Sequence, residues 1–160
     1  MNTVMETLAS LGYGLASAFV PVLNAEAYVG VYATLAPLSL VVVVLAVGLG
    51  QTVGKVVLFE GARRGQGLVR ERAARRPPRT GAIATRLRIW GSMLMRLLDD
   101  RRGGAATVLV SASVGVPPLA AVSLAAGASS QGRLVFAACC LAGRIVRFGV
   151  LAVPLAYAAG

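Results

Sequence analysis

Apolar positions dominate the chain and form long stretches that are separated by charged residues. Four stretches contain almost no charge: residues 7–25, 27–54, 103–132 and 134–160. A helix needs about 20 apolar residues to cross the hydrocarbon core of a membrane. Each stretch approaches or exceeds that length, so the pattern predicts an all-helical integral membrane protein.

Two of the four stretches are continuous, and two are broken near their middle. Residues 35–59 and 134–157 are rich in Val, Leu and Ala and are predicted to cross the membrane. The other two contain Pro21 and the adjacent Pro117 and Pro118. Proline removes a backbone donor and clashes with the preceding turn, so a straight crossing helix is not expected there. We predict two re-entrant hairpins, over residues 7–31 and 105–130, each followed by a transmembrane helix.

The repeated order of hairpin and span sets the predicted topology. One membrane domain covers residues 1–160, with a hairpin and span in 7–60, a basic loop in 61–102 and a hairpin and span in 103–160. Hairpins that return to their side of entry give the two units opposite orientations. Inverted repeats occur in transporters that bind substrate near the bilayer midplane. The alternative topology has four full crossings of the membrane. A signal peptide at the N-terminus is disfavoured, because no Lys or Arg precedes the first apolar stretch.

Charge is concentrated in the predicted loop. The chain carries a net charge of +10, although only 14% of its residues are charged. Twelve arginines and three acidic residues lie in 61–102, which gives this segment a net charge of +9. A basic segment between apolar stretches follows the positive-inside rule. We therefore place the loop in the cytoplasm and the protein in the inner (plasma) membrane, and we do not expect nucleic acid as a partner.

Within this loop, residues 83–98 are predicted to form an amphipathic helix after an irregular connector over residues 63–80. The apolar residues that recur at helical spacing are Ile83, Leu87, Trp90, Leu94 and Leu97. Such a helix lies in the membrane interface, where its arginines reach anionic headgroups. The residues predicted to contact anionic lipid are Arg86, Arg88, Trp90 and Arg96. The alternative is a helix that packs on its own loop.

Charges inside the apolar stretches are candidates for function, because each costs about 2.5–3.5 kcal/mol at mid-membrane on insertion scales. Arg144 and Arg147 are three residues apart and share a helix face. We predict that Glu26 faces them across a polar cavity, where the arginines bind a lipid phosphate and Glu26 gates access to them. The alternatives are a structural ion pair and, for Arg147, a side chain that reaches the interface. Lys55 is expected to extend toward the cytoplasmic interface.

Several other chemistries lack the residues that they need. The chain has no histidine, and its two cysteines, Cys139 and Cys140, are neighbours that are read as buried free thiols. We therefore expect no enzyme activity, no metal site and no cofactor.

Gly50 and Gly54 have the spacing that permits two helices to approach closely. We predict that they pack against another helix of the same chain, and the alternative is a contact between the two copies of a homodimer.

The second half of the chain resembles the VTT-domain, or DedA-like, membrane proteins, also labelled SNARE-associated. The resemblance is carried by GVPPLAAVSLAAGA at 115–128, which includes Gly127, and by Gly-Arg at 143–144 and Arg-Phe at 147–148. In the first half, residues 19–26 resemble the family's Pro-containing hairpin with its acidic residue. GQTVGK at 50–55 resembles the Gly-x-x-x-Gly turn, although many members have an acidic residue in place of Lys55.

The resemblance implies a membrane lipid transporter or scramblase. Bacterial members are linked to the movement of undecaprenyl phosphate or phosphatidylethanolamine and to the proton-motive force. Many members carry arginines in the second hairpin, where residues 111–128 of this chain are uncharged. The predicted partners are thus membrane lipids with anionic headgroups. Two alternatives are a non-transporting scaffold, recruited through Arg72, Arg75 and Arg76, and a small subunit of a larger membrane complex.

Overall fold

Seven helices make up the part of the chain that the computed structural model describes, which is residues 3–20, 23–35, 40–74 and 82–159. The helices are α1 (Thr3–Phe19), α2 (Ala25–Leu35), α3 (Leu40–Ala74), α4 (Ala82–Asp99), α5 (Arg101–Val114), α6 (Leu119–Ala128) and α7 (Arg133–Ala159). No strand occurs among these residues. The predicted all-helical class is therefore confirmed.

Two of the helices are long and apolar enough to cross a membrane. These spans are Leu40–Gly67 within α3 and Arg133–Leu155 within α7. They overlap the two spans predicted from the sequence, although α3 begins at Leu40 because residue 35 still belongs to α2. Length and composition thus weakly suggest a membrane protein.

The irregular connector predicted over residues 63–80 is wrong in its first part, because α3 continues to Ala74. Residues 75–80 lie outside the described ranges. The extension of α3 provides donors to the end of α6: Arg63 Nη2 donates to Ser129 O at 3.3 Å, and Gln66 Nε2 donates to Gly127 O at 2.9 Å. The last carbonyls of a helix have no partner within it, so these contacts favour a helical course for the basic segment.

In the first unit, α1 and α2 form an antiparallel hairpin that packs beside the long helix α3. Tyr13 Oη donates to Asn24 O at 3.4 Å, and the hydroxyls of Ser10 and Tyr28 lie 3.2 Å apart, so α1 and α2 run in opposite directions. Ala18, at the end of α1, contacts Lys55 of α3. The turn of this hairpin therefore lies level with Lys55, near the middle of the apolar span of α3.

The last three helices repeat this arrangement. α5 and α6 form a second hairpin, because Ser111 Oγ donates to Pro117 O at the turn and Ser130 Oγ donates to Asp99 O at the open end, with distances of 2.5 and 3.4 Å. The turn contacts Arg147, near the middle of the apolar span of α7. Each unit thus places a helix break beside the centre of its own long helix.

The second helix of each unit packs on the long helix of the other unit. α2 packs on α7, and α6 packs on α3. One apolar core joins α2, α3 and α7 and includes Val29, Val47 and Phe148. The other joins α3, α5, α6 and α7 and includes Phe59, Val122 and Phe136, with Phe59 and Phe136 stacked at 4.7 Å between ring centroids. This packing holds the two hairpins against one another's long helix.

The amphipathic helix predicted at 83–98 corresponds to α4, which packs on α5 and α6. Leu98 is fully buried in the second core, whereas Trp90 is 69% exposed and Met93 is 59% exposed. The side chains of Ile83 and Leu87 lie outside the described part of the chain. Most of the described apolar side chains of α4 therefore remain available to surrounding lipid or to a partner.

Close backbone contact between α1 and α3 depends on glycine. A Cβ added at Gly50 would overlap the backbone oxygen of Leu11, and one added at Gly54 would overlap the Cβ of Ala18. Gly127 makes a similar contact with the backbone of Phe59. The glycine pair is thus used inside the chain, as the first of the two interpretations predicted.

We expect Gly50→Ala to destabilise the fold by about 1–3 kcal/mol, the usual cost of overpacking a close contact. The matched control is Gly61→Ala on the same helix, where an added Cβ would meet no atom within 4 Å. Thermal unfolding in detergent measures both variants. Equal midpoints for the two variants would contradict the close approach of α1 and α3.

Candidate functional site

Glu26 and Arg147 form an ion pair between the two units. Arg147 Nε donates to Glu26 Oε1 at 2.7 Å, and Nη2 lies 2.5 Å from the same oxygen. The side chains are 22% exposed for Arg147 and 37% exposed for Glu26. This pairing is the contact that the sequence hypothesis placed between Glu26 and one of the two arginines.

Local structure holds Glu26 at the start of α2. The side chain of Asn24 accepts hydrogen bonds from the backbone nitrogens of Glu26 and Ala27 at 2.9 and 3.3 Å. Asparagine is a favourable residue at this capping position. A carboxylate in the first turn is also stabilised by the helix dipole. The position of Glu26 is therefore set by the helix break that precedes it.

Arg147 also binds the break in the second hairpin. Its Nη1 donates to Ser113 O at 3.2 Å, in the last turn of α5. Gly115 ends that helix with φ of 91°, and an added Cβ there would lie 2.7 Å from Arg147 Nη1. Only glycine readily combines this backbone conformation with so little space. Arg147 thus joins α2, α5 and α7.

Arg144 lies one turn before Arg147 and is bonded differently. Its Nε is buried and has no hydrogen-bond partner among the described residues. Its side chain is partly exposed, and its Cβ lies near Gly48 of α3. A buried donor without a partner costs about 1–3 kcal/mol. Of the two arginines, Arg144 is therefore the one whose Nε can still donate a hydrogen bond to another molecule.

Lys55 has the same position in the first unit as Arg147 has in the second. It is only 6% exposed, and its Nζ donates to Ala18 O at 2.7 Å, in the last turn of α1. The prediction that Lys55 extends toward the interface is therefore wrong. A cation at a helix C-terminus binds carbonyls that lack a partner and lies at the negative end of the helix dipole.

The sequence signal for this role was present, because Lys55 and Arg147 each interrupt the middle of a long apolar helix. Each donates to the last turn of the first helix in its own unit. The comparison of the two units, rather than the charge of either residue alone, identifies them as equivalent. Lys55, Arg144 and Arg147 thus lie near the helix breaks, and Glu26 is the acidic partner of Arg147.

A second polar contact lies beside Lys55. Gln51 Nε2 donates to Ser17 Oγ at 2.8 Å, while Gln51 Oε1 is buried without a partner in the described ranges. Thr52 Oγ1 donates to Gly48 O at 2.8 Å. These residues continue the polar side of α3 toward Gly48 and Arg144.

The two cavities that stand out in the described part of the chain lie away from the place where the sequence predicts a polar cavity between Glu26 and the arginines. One cavity of about 390 Å³ lies near Asp99 and Gln131, and another of about 660 Å³ lies between α4 and the second hairpin. Neither is lined by Glu26, Arg144 or Arg147. The direct ion pair occupies the space that a cavity between the two charges requires.

The remaining predicted residues are distributed over the fold. Pro117 and Pro118 form the turn of the second hairpin, whereas Pro21 lies outside the described residues. Arg86 and Arg96 are exposed on α4, and the side chain of Arg88 is not among those described. No group of three or more metal-binding side chains occurs in residues 3–20, 23–35, 40–74 and 82–159.

Comparison with known proteins gives no relative. No family model, no curated protein and no solved structure matches this chain.

Proposed function

We propose that this protein is a membrane lipid transporter or scramblase that moves a phosphate-bearing lipid between leaflets. The supporting observation is the placement of Arg144 beside the Glu26–Arg147 pair, with a buried Nε that has no partner among the described residues. Arginine binds phosphate oxygens through charge-assisted hydrogen bonds. A lipid phosphate, on a polyprenyl chain or a phospholipid, would supply the missing partner.

The proposed membrane placement makes both hairpins re-entrant. At a rise of about 1.5 Å per residue, α5 and α6 extend about 21 and 15 Å, whereas the hydrocarbon core is about 30 Å thick. Neither helix alone can cross it. The contact between Ser130 and Asp99 also brings the open ends of this hairpin together. The two features together favour entry and return on one side over a single full crossing by this stretch.

We expect a cysteine at Ser130 to react from the cytoplasmic side. The variant carries Ser130→Cys together with Cys139→Ala and Cys140→Ala, and Ser92→Cys on α4 is the reference for the basic loop. A membrane-impermeant maleimide applied to right-side-out vesicles should label neither cysteine, and inverted vesicles should allow both reactions. Labelling of Ser130→Cys alone in right-side-out vesicles would support four full crossings instead.

In the proposed mechanism, Arg144 makes the first contact with the phosphate. Arg147 is already bound to Glu26 and to Ser113 O, so it becomes available only when its bond with Glu26 opens. Phosphate and the Glu26 carboxylate then compete for the same guanidinium. This competition lets the lipid enter and also lets it leave, because Glu26 restores the pair behind it.

The decisive experiment is lipid translocation by the purified protein in liposomes, with a fluorescent phospholipid and a polyprenyl phosphate. We expect Glu26→Gln to slow movement about tenfold, equivalent to about 1.4 kcal/mol, because a neutral side chain releases the phosphate from Arg147 less effectively. Glu60→Gln is the matched control, since Glu60 lies at the end of the span, 3.6 Å from Arg133.

A folded and inserted protein that moves neither lipid would refute transport. The scaffold function then becomes the alternative, and its predicted residues Arg72, Arg75 and Arg76 become the targets of substitution. The resemblance of residues 115–128 to the VTT-domain family supports transport and led to the choice of lipids for the assay.

A further inference from the structure

An apolar groove lies between α4 and the second hairpin, away from the proposed phosphate site. Its volume is about 660 Å³. Six of its lining residues are Trp90, Met93, Leu97, Val110, Pro117 and Ala121. Trp90, Met93 and Val110 are 50–69% exposed, so the groove opens to the outside of the protein. A concave, mostly apolar surface of this kind is typical of a binding site.

We propose that this groove binds one acyl chain of an anionic phospholipid. The proposal uses the membrane placement given above but does not require transport. Two features point to this occupant, the volume of the groove and the charges next to its rim. Mostly apolar clefts with volumes of about 300–1,000 Å³ are typical of small-molecule sites, and the volume of this groove lies within that range.

The volume favours a hydrocarbon chain over a protein helix. A helix about 10 Å wide that rises 1.5 Å per residue occupies about 120 Å³ per residue. The groove of about 660 Å³ would therefore hold less than two turns. A single acyl chain is much thinner than a helix and can follow the groove from Leu97 on α4 to Pro117 at the hairpin turn.

The charges on α4 select the headgroup. Arg86 precedes Trp90 by one helical turn and lies on the same face, whereas Arg96 follows Met93 by three residues and lies next to the edge of the groove. Both are exposed. The lining residues themselves are uncharged. Arginines beside an apolar channel complement a lipid with a negative headgroup and an apolar tail.

Trp90 provides a direct test because it is the only tryptophan in the chain. Full-length protein is reconstituted in phosphatidylcholine vesicles that contain increasing amounts of chain-brominated phosphatidylglycerol or chain-brominated phosphatidylcholine. Bromine quenches tryptophan fluorescence only on close approach. We expect half-maximal quenching at about a tenfold lower mole fraction of the anionic lipid, since each interfacial arginine adds to its attraction.

Two sets of variants separate the groove from general contact with lipid. Ala106→Leu with Ala121→Leu fills the groove and should make the two quenching curves coincide. Arg86→Gln with Arg96→Gln should remove the preference for the anionic lipid without altering the packing of the groove. Val114→Leu is the control for added volume, because Val114 is 64% exposed and is not among the lining residues.

Equal quenching of the wild-type protein by the two lipids would overturn the proposal, because Trp90 would then contact only bulk lipid. Weak quenching by both would also overturn it and would indicate that a polypeptide, such as a second copy, covers the groove. Arg144→Ala should leave the quenching curves unchanged. Loss of transport with intact quenching, or the reverse, therefore distinguishes failure of one proposal from failure of the other.

Discussion

Replacing Arg144 with alanine is expected to slow lipid translocation by about 10–100-fold, since a hydrogen bond to a charged group is worth about 1.5–3 kcal/mol and 1.4 kcal/mol corresponds to a factor of ten. The rate falls because the phosphate loses its first partner inside the membrane. Arg147 does not make this first contact, because each of its three nitrogens already binds Glu26 or Ser113 O. Translocation of polyprenyl phosphate and of a fluorescent phospholipid in liposomes measures the effect.

The same substitution should not lower the stability of the protein. Arg144 Nε is buried and has no partner in the described part of the chain, so its removal also removes a desolvation cost. We expect the midpoint of thermal unfolding to be unchanged or higher. Slower transport with undiminished stability is typical of a residue retained for function.

Two further variants sharpen this result. Arg144→Lys keeps the charge but loses the planar fork that matches phosphate, so its rate should lie between those of wild type and Arg144→Ala. Arg133→Ala is the control on the same helix, because the Arg133 side chain is 61% exposed and lies 3.6 Å from Glu60. Wild-type rates for Arg144→Ala in folded protein would remove Arg144 from the site.

Much of this fold follows from the spacing of apolar residues and helix breakers. The runs of Val and Leu predict the apolar spans of α3 and α7, and Pro117 with Pro118 marks the turn between α5 and α6. Helical periodicity also located α4 to within one residue at each end. These features are local, so a single sequence contains the information that specifies them.

The features that sequence reasoning missed depend on contacts between distant segments. The neighbours of Lys55 in the sequence predict that its side chain extends toward the interface, but the end of α1 presents Ala18 O at its position. The helical course of residues 63–74 is similarly favoured by the carbonyls of Gly127 and Ser129 at the end of α6, which Gln66 and Arg63 bind. Acceptors supplied by another helix are not visible in the local pattern.

Sequence reasoning identified the charges of the candidate site but did not distinguish their roles. Arg144 and Arg147 share a helix face, and spacing alone makes them equivalent. The difference arises from Ser113 and Gly115, which end α5 beside Arg147 and not beside Arg144. A helix break 34 residues away in the chain thus makes one arginine a structural link and leaves the other with free bonding capacity.

That difference predicts unequal losses of stability when the two members of the ion pair are neutralised. Arg147→Gln removes the contacts with both Glu26 and Ser113 O and leaves the carboxylate without its partner. We expect a loss of about 2–3 kcal/mol, less than the 3–5 kcal/mol typical when a fully buried pair is broken, because the Glu26 side chain is 37% exposed. Thermal unfolding in detergent measures the loss.

Glu26→Gln should lower the free energy of unfolding by only about 1 kcal/mol, because the amide oxygen still accepts a hydrogen bond and Arg147 keeps its bond to Ser113 O.

The charge-swapped double variant, Glu26→Arg with Arg147→Glu, tests whether Arg147 stabilises the fold through Glu26 alone. It restores an ion pair but places a carboxylate beside the carbonyls that end α5, where a negative charge is unfavourable. The swap should therefore recover only part of the lost stability. Full recovery would mean that Arg147 acts through Glu26 alone and that its bond to the second hairpin contributes nothing to the fold.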